Sequence, residues 1–513
     1  MLKSGRSPAD LWVMDWSRKA WLLPSLADLF VLFLFLALFA RPAAWQSLLA
    51  DGDTGWHIRT GELILQSCAV PNHDPFSFSR ADAPWYAWEW LSDLLFALLH
   101  RWHGLAAVAG FSATLLVFSA AVLLIWLLRR GTGFFLALPA TFATVSASSV
   151  HYLARPHIFT LLFLTLALFL LDEDRQRQTP WLWSLVPLSA LWVNLHGGFV
   201  AWLAILGFLL AATAAACDWA SLRRYTALAG LCGAATFLNP YGWRLHLHIA
   251  QYLTSSWILE NVQEFQSPRI RSENLVVFAV LLLAGVALAS RPADRHRWFE
   301  TGLVLALAFA ALRSARHVPL FAIVSAPAIA SELARQWGLK ALTAPPKAAV
   351  KVLWDLSRDL GKSRRLSPWM PAFCALALGA TLSPAQLTDF PASQFPVAAV
   401  ARNIAMPRVL TSDQWADYLI YRLYPRQRVF FDGRSDFYGP AIGRDYAALL
   451  GAAPGWRELV DRYGFETALL PMDWPLGRVL ENDREWTVVY RDRVSLLLAR
   501  RLKENPKTVE GCP

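Results

Sequence analysis

Two aspartates, Asp51 and Asp53, follow the first long apolar run of the chain, Leu26 to Ala40. Their segment, Asp51-Gly-Asp-Thr-Gly-Trp-His57, places two acids and a histidine where a first membrane helix leaves the bilayer. Ionisable groups at a lipid surface are costly, and they are functional when they face a cavity. Paired carboxylates there bind a divalent cation, Mg²⁺ or Mn²⁺, or take a proton from a nucleophile. The alternative is a solvated loop in which Asp53 caps the next helix.

The composition is that of a membrane protein. Of the 513 residues, 56% are hydrophobic and 17% are charged, whereas soluble domains have about 25% charged residues. Long apolar runs recur from Leu105–Leu128 to Met370–Leu382. They are continuous rather than alternating, which favours helices over a barrel. Because a helix of about 20 residues crosses the hydrocarbon core, we expect a polytopic α-helical membrane protein with about eleven transmembrane helices.

The basic residues predict the orientation of the chain. The net charge of +10 comes mostly from short loops between apolar runs, so we expect a membrane partner and no nucleic acid. The basic N-terminus and the basic segment 335–365 are expected to be cytoplasmic, because cytoplasmic loops are rich in Lys and Arg. The first outer loop, residues 43–84, then lies on the opposite, extracytoplasmic side.

The sequence predicts two domains, a transmembrane domain over residues 1–383 and a small extracytoplasmic α/β domain over residues 384–513. Helical patterns over Asp413–Tyr424 and Pro454–Tyr463 alternate with short β-type runs, which is typical of an α/β domain. The β-type runs are Arg408–Thr411, Arg428–Phe431, Thr467–Leu470, Thr487–Tyr490 and Val494–Ala499. About 130 residues suffice to bury a core of their own.

The segment Trp85–Arg101 leaves one topological question open. Both it and Leu105–Leu128 have a helical pattern, and if both span the membrane, the arginine pair that follows lies outside. The first segment is short and carries Glu89 and Asp93, which favours a juxtamembrane or partly inserted helix.

The loops expected on the outer face contain unusual polar residues. Arginines there match phosphate geometry bidentately, although a single arginine also snorkels to lipid headgroups. A histidine at a helix end either binds a sugar or a metal, or forms a structural hydrogen bond. The candidate substrate-binding residues are His57, Glu89, Arg155, His157, Asn194, His196, Arg313, Arg316 and His317.

Three other features favour structural interpretations. Glu264 is expected to be a plain surface acid rather than an acceptor contact. Phe431-Asp-Gly-Arg-Ser-Asp436 is expected to form a turn with an Arg–Asp pair, rather than a sugar contact. The five cysteines show no paired spacing that would indicate a disulfide framework or a zinc site.

The first outer loop resembles that of the glycosyltransferase C superfamily. The acidic pair is followed by an amphipathic segment and then by Pro84-Trp-Tyr-Ala-Trp88 at the entry to the next helix. This superfamily includes protein O-mannosyltransferases and lipid A aminoarabinose transferases. The resemblance implies that an acid of this loop carries catalysis, with Asp53 the better candidate, and that the donor is a polyprenyl-phosphate sugar. Many relatives have adjacent Asp and Glu, whereas Gly52 separates the two acids here, so the base stays unassigned between Asp51 and Asp53.

The resemblance further implies an inverting hexosyl- or pentosyltransferase of a bacterial inner membrane, acting at the extracytoplasmic face on a glycan, lipid or protein. Two other functions stay open: a transporter or flippase of lipid-linked material, and a non-catalytic assembly protein whose tail binds a partner. The ionisable residues gather at one face rather than mid-membrane, and we find no inverted repeat, which argues against a transporter.

Overall fold

The computed structural model describes residues 23–291, 297–362 and 367–501. Most of the described residues before Leu382 form helices joined by short turns. These are α1 (Leu26–Phe39), α2 (Pro42–Ser47), α3 (Asp53–Ser67), α4 (Trp90–Arg129), α5 (Phe134–Ser148), α6 (His157–Arg177), α7 (Leu185–Leu195), α8 (Phe199–Ala215), α9 (Trp219–Ala235), α10 (Trp243–Thr254), α11 (Ser256–Asn261), α12 (Glu273–Ala289), α13 (Trp298–Arg313), α14 (Val318–Thr343), α15 (Ala349–Leu360) and α16 (Met370–Thr381).

Helix length and hydropathy identify part of the expected set of spans. In the described part of the chain, three helical stretches are long and apolar enough to cross a membrane: Trp90–Arg129, Phe134–His151 and Ala315–Thr343. Four shorter apolar helices accompany them: Leu26–Phe39, Phe199–Ala215, Asn274–Ala289 and Met370–Thr381. The helical membrane class is confirmed, whereas the expected number of about eleven spans stays a prediction.

Helix α4 is broken near its first third. His103 and Gly104 have non-helical backbone angles, and Gly104 has a φ of 62°. Unbroken, a helix of 40 residues would be about 60 Å long, roughly twice the thickness of the hydrocarbon core. The break separates residues 90–102, which pack against α3, from the long apolar part that follows.

Helix α3 is held on two sides by close backbone approaches. A Cβ atom at Gly55 would lie 2.8 Å from the carbonyl oxygen of Asp417, and one at Gly61 would overlap the carbonyl of Asp93. Glycine alone permits such approaches, because it has no Cβ. Helix α3 is therefore largely buried between two other helices.

The start of α3 shows that Asp53 is not the N-cap residue of this helix. The helix begins at Asp53, after Gly52, and Asp53 is part of its first turn. The Asp53 N–H donates to Oδ1 of Asp51 at 2.9 Å. Asp51 therefore satisfies a free N–H of the helix start, and the carboxyl group of Asp53 is left for other contacts.

The C-terminal segment forms a mixed four-stranded sheet with the order β1-β2-β4-β3. Strands β1 and β2 are parallel, and the two other pairs are antiparallel. Its elements are α17 (Val397–Ala401), β1 (Val409–Thr411), α18 (Asp413–Leu423), α19 (Ser435–Leu450), α20 (Trp456–Tyr463), β2 (Thr467–Pro471), α21 (Pro475–Glu481), β3 (Trp486–Arg491) and β4 (Ser495–Arg500).

One expected strand does not join this sheet. The run Arg428–Phe431 instead forms an isolated parallel bridge, in which Val429 pairs with Ser77 of the first outer loop. The Phe78 N–H donates to the Val429 carbonyl at 2.9 Å, and the Val429 N–H donates to the Phe76 carbonyl at 3.0 Å. Its backbone groups are thus satisfied by the first outer loop, which joins the C-terminal segment to it.

A buried arginine strengthens this junction. Arg434 pairs with Asp74 of the first outer loop at 2.8 Å and with Asp432 at 2.6 Å, as the sequence predicted for the second pair. Its guanidinium also lies over the rings of Phe76 and Trp85, 5.0 and 4.6 Å from their centroids. Because a buried charge is stable only when paired, this cluster fixes the C-terminal segment against the first outer loop.

Candidate active site

A cavity of about 290 Å³ lies where the first outer loop, the turns before α6 and α14, and residues 433–436 meet. It brings together eight of the candidates named from the sequence, which come from five separate parts of the chain. These are Asp53, His57, Glu89, Arg155, His157, His196, Arg316 and His317. The expectation that the unusual polar residues share one face therefore extends to a common cavity for these eight.

Arg155 is the centre of the acidic side of the cavity. Its guanidinium pairs with Asp51 at 2.9 Å, with Asp53 at 2.7 Å and with Glu264 at 2.6 Å. Burial raises the pKa of Glu264, but Arg155 and Arg316 outweigh it and hold that pKa well below its ordinary value. Arg155 is thus compensated by three carboxyl groups, and its role is to orient these acids rather than to bind a further anion.

The second oxygen of Asp53 faces a carboxyl group from the C-terminal segment. Oδ1 of Asp53 and Oδ2 of Asp417 are buried, and apart from each other neither has a hydrogen-bond partner in the described residues. A Cβ atom at Gly433 would overlap Oδ1 of Asp53 and lie 2.8 Å from Oδ2 of Asp417, so both oxygens lie beneath this glycine. The other Asp417 oxygen accepts the Gly433 N–H at 3.0 Å.

The surroundings divide a proton unequally between these two acids. Burial raises the pKa of Asp53 to about 7, and Arg155 opposes this shift. Burial and the charges of Asp53 and Asp432 raise the pKa of Asp417 well above its ordinary value. The proton therefore resides on Asp417, which donates it to Asp53, and Asp53 ionises near neutral pH.

Glu89, His57 and Asp93 form a second buried group at the cavity. His57 Nδ1 lies 2.6 Å from Oδ1 of Asp93, and His57 Nε2 lies 3.6 Å from Oε2 of Glu89. The other Glu89 oxygen is 3.5 Å from Nε2 of His196. Burial raises the pKa of Glu89 to about 8, with Arg155 opposing, and burial also lowers the pKa of His57.

Arg316 differs from Arg155 in its partners. Its guanidinium lies 4.5 Å from the centroid of Phe265, and it donates to the Tyr252 hydroxyl at 3.5 Å. Among the residues that the structure describes, no carboxylate forms an ion pair with it. A half-buried cation with aromatic neighbours and no carboxylate at ion-pair distance is suited to bind an anionic ligand.

Three other candidates lie outside the cavity lining. The Asn194 amide accepts the Trp90 indole N–H at 2.8 Å and donates to two backbone carbonyls, so its hydrogen bonds join helices. Arg313 is exposed. Asp51 does not line the cavity and is linked to it by its ion pair with Arg155.

Sequence reasoning missed several residues that line or complete the site: Glu264, Asp417, Gly433, Arg434 and Asp436. The segment from Asp432 to Asp436 contains an Asp-Gly-Arg motif, which indicates a turn as readily as a functional site. Asp417 stands among apolar residues of a helical pattern, and an acid on a buried helix face is a signal for a functional group.

The expected cation site on Asp51 and Asp53 does not fit this geometry. Arg155 takes an oxygen of each acid, and the remaining Asp51 oxygen accepts a backbone N–H. Over the described ranges, no group of three or more His, Cys, Asp or Glu side chains has the geometry of a metal site. A requirement for Mg²⁺ or Mn²⁺ stays a prediction, and these two acids alone do not supply its ligands.

The fold of the chain is similar to that of solved oligosaccharyltransferase structures. The oligosaccharyltransferase of Archaeoglobus fulgidus has a TM-score of 0.51 at 13% identity, over 87% of this chain and 69% of that chain. The archaeal oligosaccharyltransferase AglB from Archaeoglobus fulgidus, in complex with an inhibitory peptide and a dolichol-phosphate, has a TM-score of 0.51 at 13% identity. The alignment covers 89% of this chain and 70% of that chain.

ArnT from Cupriavidus metallidurans, bound to undecaprenyl phosphate, aligns over 91% of this chain and 97% of that chain at 14% identity. The TM-score of this alignment is 0.48. No protein-family model matches the chain, and no curated protein matches it by sequence.

Proposed function

We propose that this protein is a membrane glycosyltransferase, which transfers a sugar from a polyprenyl-phosphate donor to an acceptor at the extracytoplasmic face. One observation carries the proposal: Asp53, with a pKa of about 7, and Arg316, a cation without a carboxylate partner in the described chain, line the same cavity. The first is suited to accept a proton near neutral pH, and the second is suited to bind a phosphate.

The proposed reaction uses the two groups on opposite sides of the sugar. Asp53 takes the proton of the acceptor hydroxyl, and the acceptor oxygen forms a bond to the anomeric carbon. The bond from that carbon to the phosphate oxygen breaks, and its electron pair leaves with the lipid phosphate. Arg316 stabilises the leaving anion, and attack opposite the phosphate inverts the configuration.

The lining of the cavity supports a lipid-linked donor. The lining combines acids and histidines with a set of apolar side chains. The apolar residues are Leu161, Val200, Ala201, Ala204, Ile249, Leu253 and Leu320. Residues 161, 200, 201 and 204 lie in α6 and α8, and an apolar surface of this kind suits an isoprenoid chain beside its phosphate.

The test compares cells that produce the wild type, Asp53→Asn or Asp51→Asn. Mass spectrometry of their lipids, glycans and envelope proteins should detect a glycoside in the wild type that Asp53→Asn lacks. A lost general base lowers the rate by roughly 10²–10⁴-fold. Asp51→Asn should retain part of the activity, because Asp51 acts through Arg155 and the helix start.

Purified Asp53→Asn should still bind undecaprenyl phosphate in vesicles, which shows that the variant is folded. Normal transfer by this variant would exclude the mechanism. A transporter would instead move lipid-linked material across vesicles without forming a new glycoside, and an assembly protein would show no dependence of any glycoside on Asp53.

A further inference from the structure

The buried histidine of α3 lies between two acids that precede and begin α4. Glu89 and Asp93 are four positions apart and share one face of the helix start, and their carboxyl groups reach the two nitrogens of His57. The side chains of His57 and Asp93 are both 1% exposed. Each ring nitrogen therefore has its own carboxyl neighbour, which is the arrangement that moves a proton through an imidazole.

The contact with Asp93 places one proton next to Nδ1 of His57. Oδ2 of Asp93 is buried and has no donor in the described residues, so the contact with Nδ1 is the one hydrogen bond of this side chain there. When this proton belongs to the neutral ring, Nε2 keeps its free electron pair and faces Oε2 of Glu89 at 3.6 Å.

His196 fixes the other side of Glu89. The Gly198 N–H donates to Nδ1 of His196 at 3.0 Å, and a backbone N–H can only donate. The Thr160 hydroxyl lies 2.7 Å from the same nitrogen and accepts the Trp192 indole N–H at 2.9 Å, so its own hydrogen points to His196. His196 Nδ1 is thus an acceptor, and the proton of the neutral ring is on Nε2, facing Glu89.

Glu89 consequently lies between a nitrogen that donates and a nitrogen that accepts. We propose that Glu89, His57 and Asp93 form a proton relay, in which Glu89 faces the cavity, His57 carries the proton, and Asp93 holds the ring. The relay returns Asp53 to its ionised form after each transfer, so this inference rests on the proposed function. Glu89 is the catalytic residue of the relay, and His57 and Asp93 are positioning residues.

The proposed step moves protons only, and no bond between heavy atoms forms or breaks. The proton on Asp53 passes through water in the cavity to Glu89, while the proton of Glu89 moves to Nε2 of His57. Asp53 ends ionised, Glu89 stays protonated, and His57 becomes an imidazolium beside the Asp93 carboxylate. The cavity of about 290 Å³ has room for several waters, since one water takes up about 30 Å³ of liquid.

The charges around the relay favour a resting state in which Glu89 is protonated and His57 is neutral. Glu89 meets the cations Arg155 and Arg316 and the acids Asp53 and Asp436, but burial is the largest influence on it. Arg155, His196 and His157 act with burial to disfavour a charged His57. The imidazolium is therefore short-lived, and it releases its proton when products leave and water enters.

Infrared spectroscopy of the purified protein in vesicles tests the relay without any substrate. At pH 7 the wild type should show a protonated-carboxyl band that Glu89→Gln removes and His57→Gln shifts. Glu62→Gln should leave this band unchanged, because Glu62 of α3 pairs with Arg59 outside the cavity lining. If His57→Gln does not fold, Asp93→Asn serves in its place. Protonated Asp417 gives a band of its own, which should persist in all these variants. The proposal is overturned if Glu89→Gln removes no band, or if neither of the other two variants shifts the Glu89 band.

Kinetics test what the relay does, with a membrane lipid extract of the producing cells as donor. Asp93→Asn should keep the single-turnover rate but lower the steady-state rate roughly tenfold or more, and imidazole in the buffer should restore it. An equal loss in both rates, without rescue, overturns the relay and leaves the proposed function standing. Full activity of Asp53→Asn would instead refute the proposed function, whereas the infrared result is independent of it.

Discussion

Asp53 of the first outer loop and Asp417 of α18 bring their carboxyl groups together beneath the backbone of Gly433. Asp53 has its other oxygen on Arg155, and Asp417 has its other oxygen on the Gly433 N–H. The C-terminal segment therefore completes the surroundings of the acid that we propose as the base.

This pair predicts the pH dependence of transfer. A base works when ionised, and the pKa of Asp53 is raised to about 7, so the rate should rise with pH through about 7 and then level off. The Asp417 hydrogen bond lowers the pKa of Asp53, so Asp417→Ala should move the rise to higher pH. Asp417→Asn keeps a neutral donor and should leave the rise in place. A profile of kcat/KM against pH checks all three proteins, because it reports ionisations of the free enzyme. Identical shifts in both variants would contradict a donated proton.

Arg316 should determine the affinity for the donor phosphate. Hydrogen bonds to charged groups contribute about 1.5–3 kcal/mol, so Arg316→Gln should weaken binding of undecaprenyl phosphate in vesicles by roughly tenfold or more. Arg313→Gln is the matched control, because Arg313 is nearby in sequence, exposed, and outside the cavity lining. Equal losses in the two variants would mean that the affinity comes from general surface charge.

Gly433 should tolerate no side chain. A methyl group there would overlap Asp53 and lie against Asp417, and the backbone of this buried turn has little room to shift. Gly433→Ala should abolish transfer and lower the melting temperature. Gly207→Ala in α8 is the control, since a Cβ atom there meets nothing within 4 Å. Wild-type activity in Gly433→Ala would show that the two acids are not packed beneath this residue.

Arg434 should contribute strongly to the attachment of the C-terminal segment. Arg434→Leu leaves two buried carboxylates without their partner, which costs about 3–5 kcal/mol. Arg491→Leu removes an exposed arginine paired with the exposed Glu481 in the same segment, and it should cost at most about 1 kcal/mol. Thermal unfolding and limited proteolysis of the purified proteins check the difference. Similar stability of the two variants would contradict a structural role for the buried cluster.

The helical class of the fold and part of the cavity lining were accessible to sequence reasoning for a physical reason. Charged residues at a bilayer surface are costly, so His57, Glu89, Arg155 and Arg316 stand out against apolar neighbours. Charge bias then assigns their loops to one face. Asn194 stands out equally, but its amide is used to join helices, and residue type alone does not separate the two roles.

The contribution of the C-terminal segment was not accessible in the same way. The Gly52 N–H donates to the Gln414 side chain across 362 positions of sequence, and no local pattern announces such a contact. The run at Val429 has the composition of a strand, yet its partner is Ser77 rather than the sheet. Propensity gives the extended conformation there, whereas the choice of partner depends on tertiary packing.

The distance in sequence between Asp53 and Asp417 also bears on how the protein is made. Chains fold largely from the N-terminus during synthesis, so residues 43–84 are made long before α18 exists. Until then Asp53 lacks both Asp417 and the cover of Gly433, and its surroundings are those of an open loop. The surroundings that raise the pKa of Asp53 are therefore complete only once residues 413–433 have docked onto this loop.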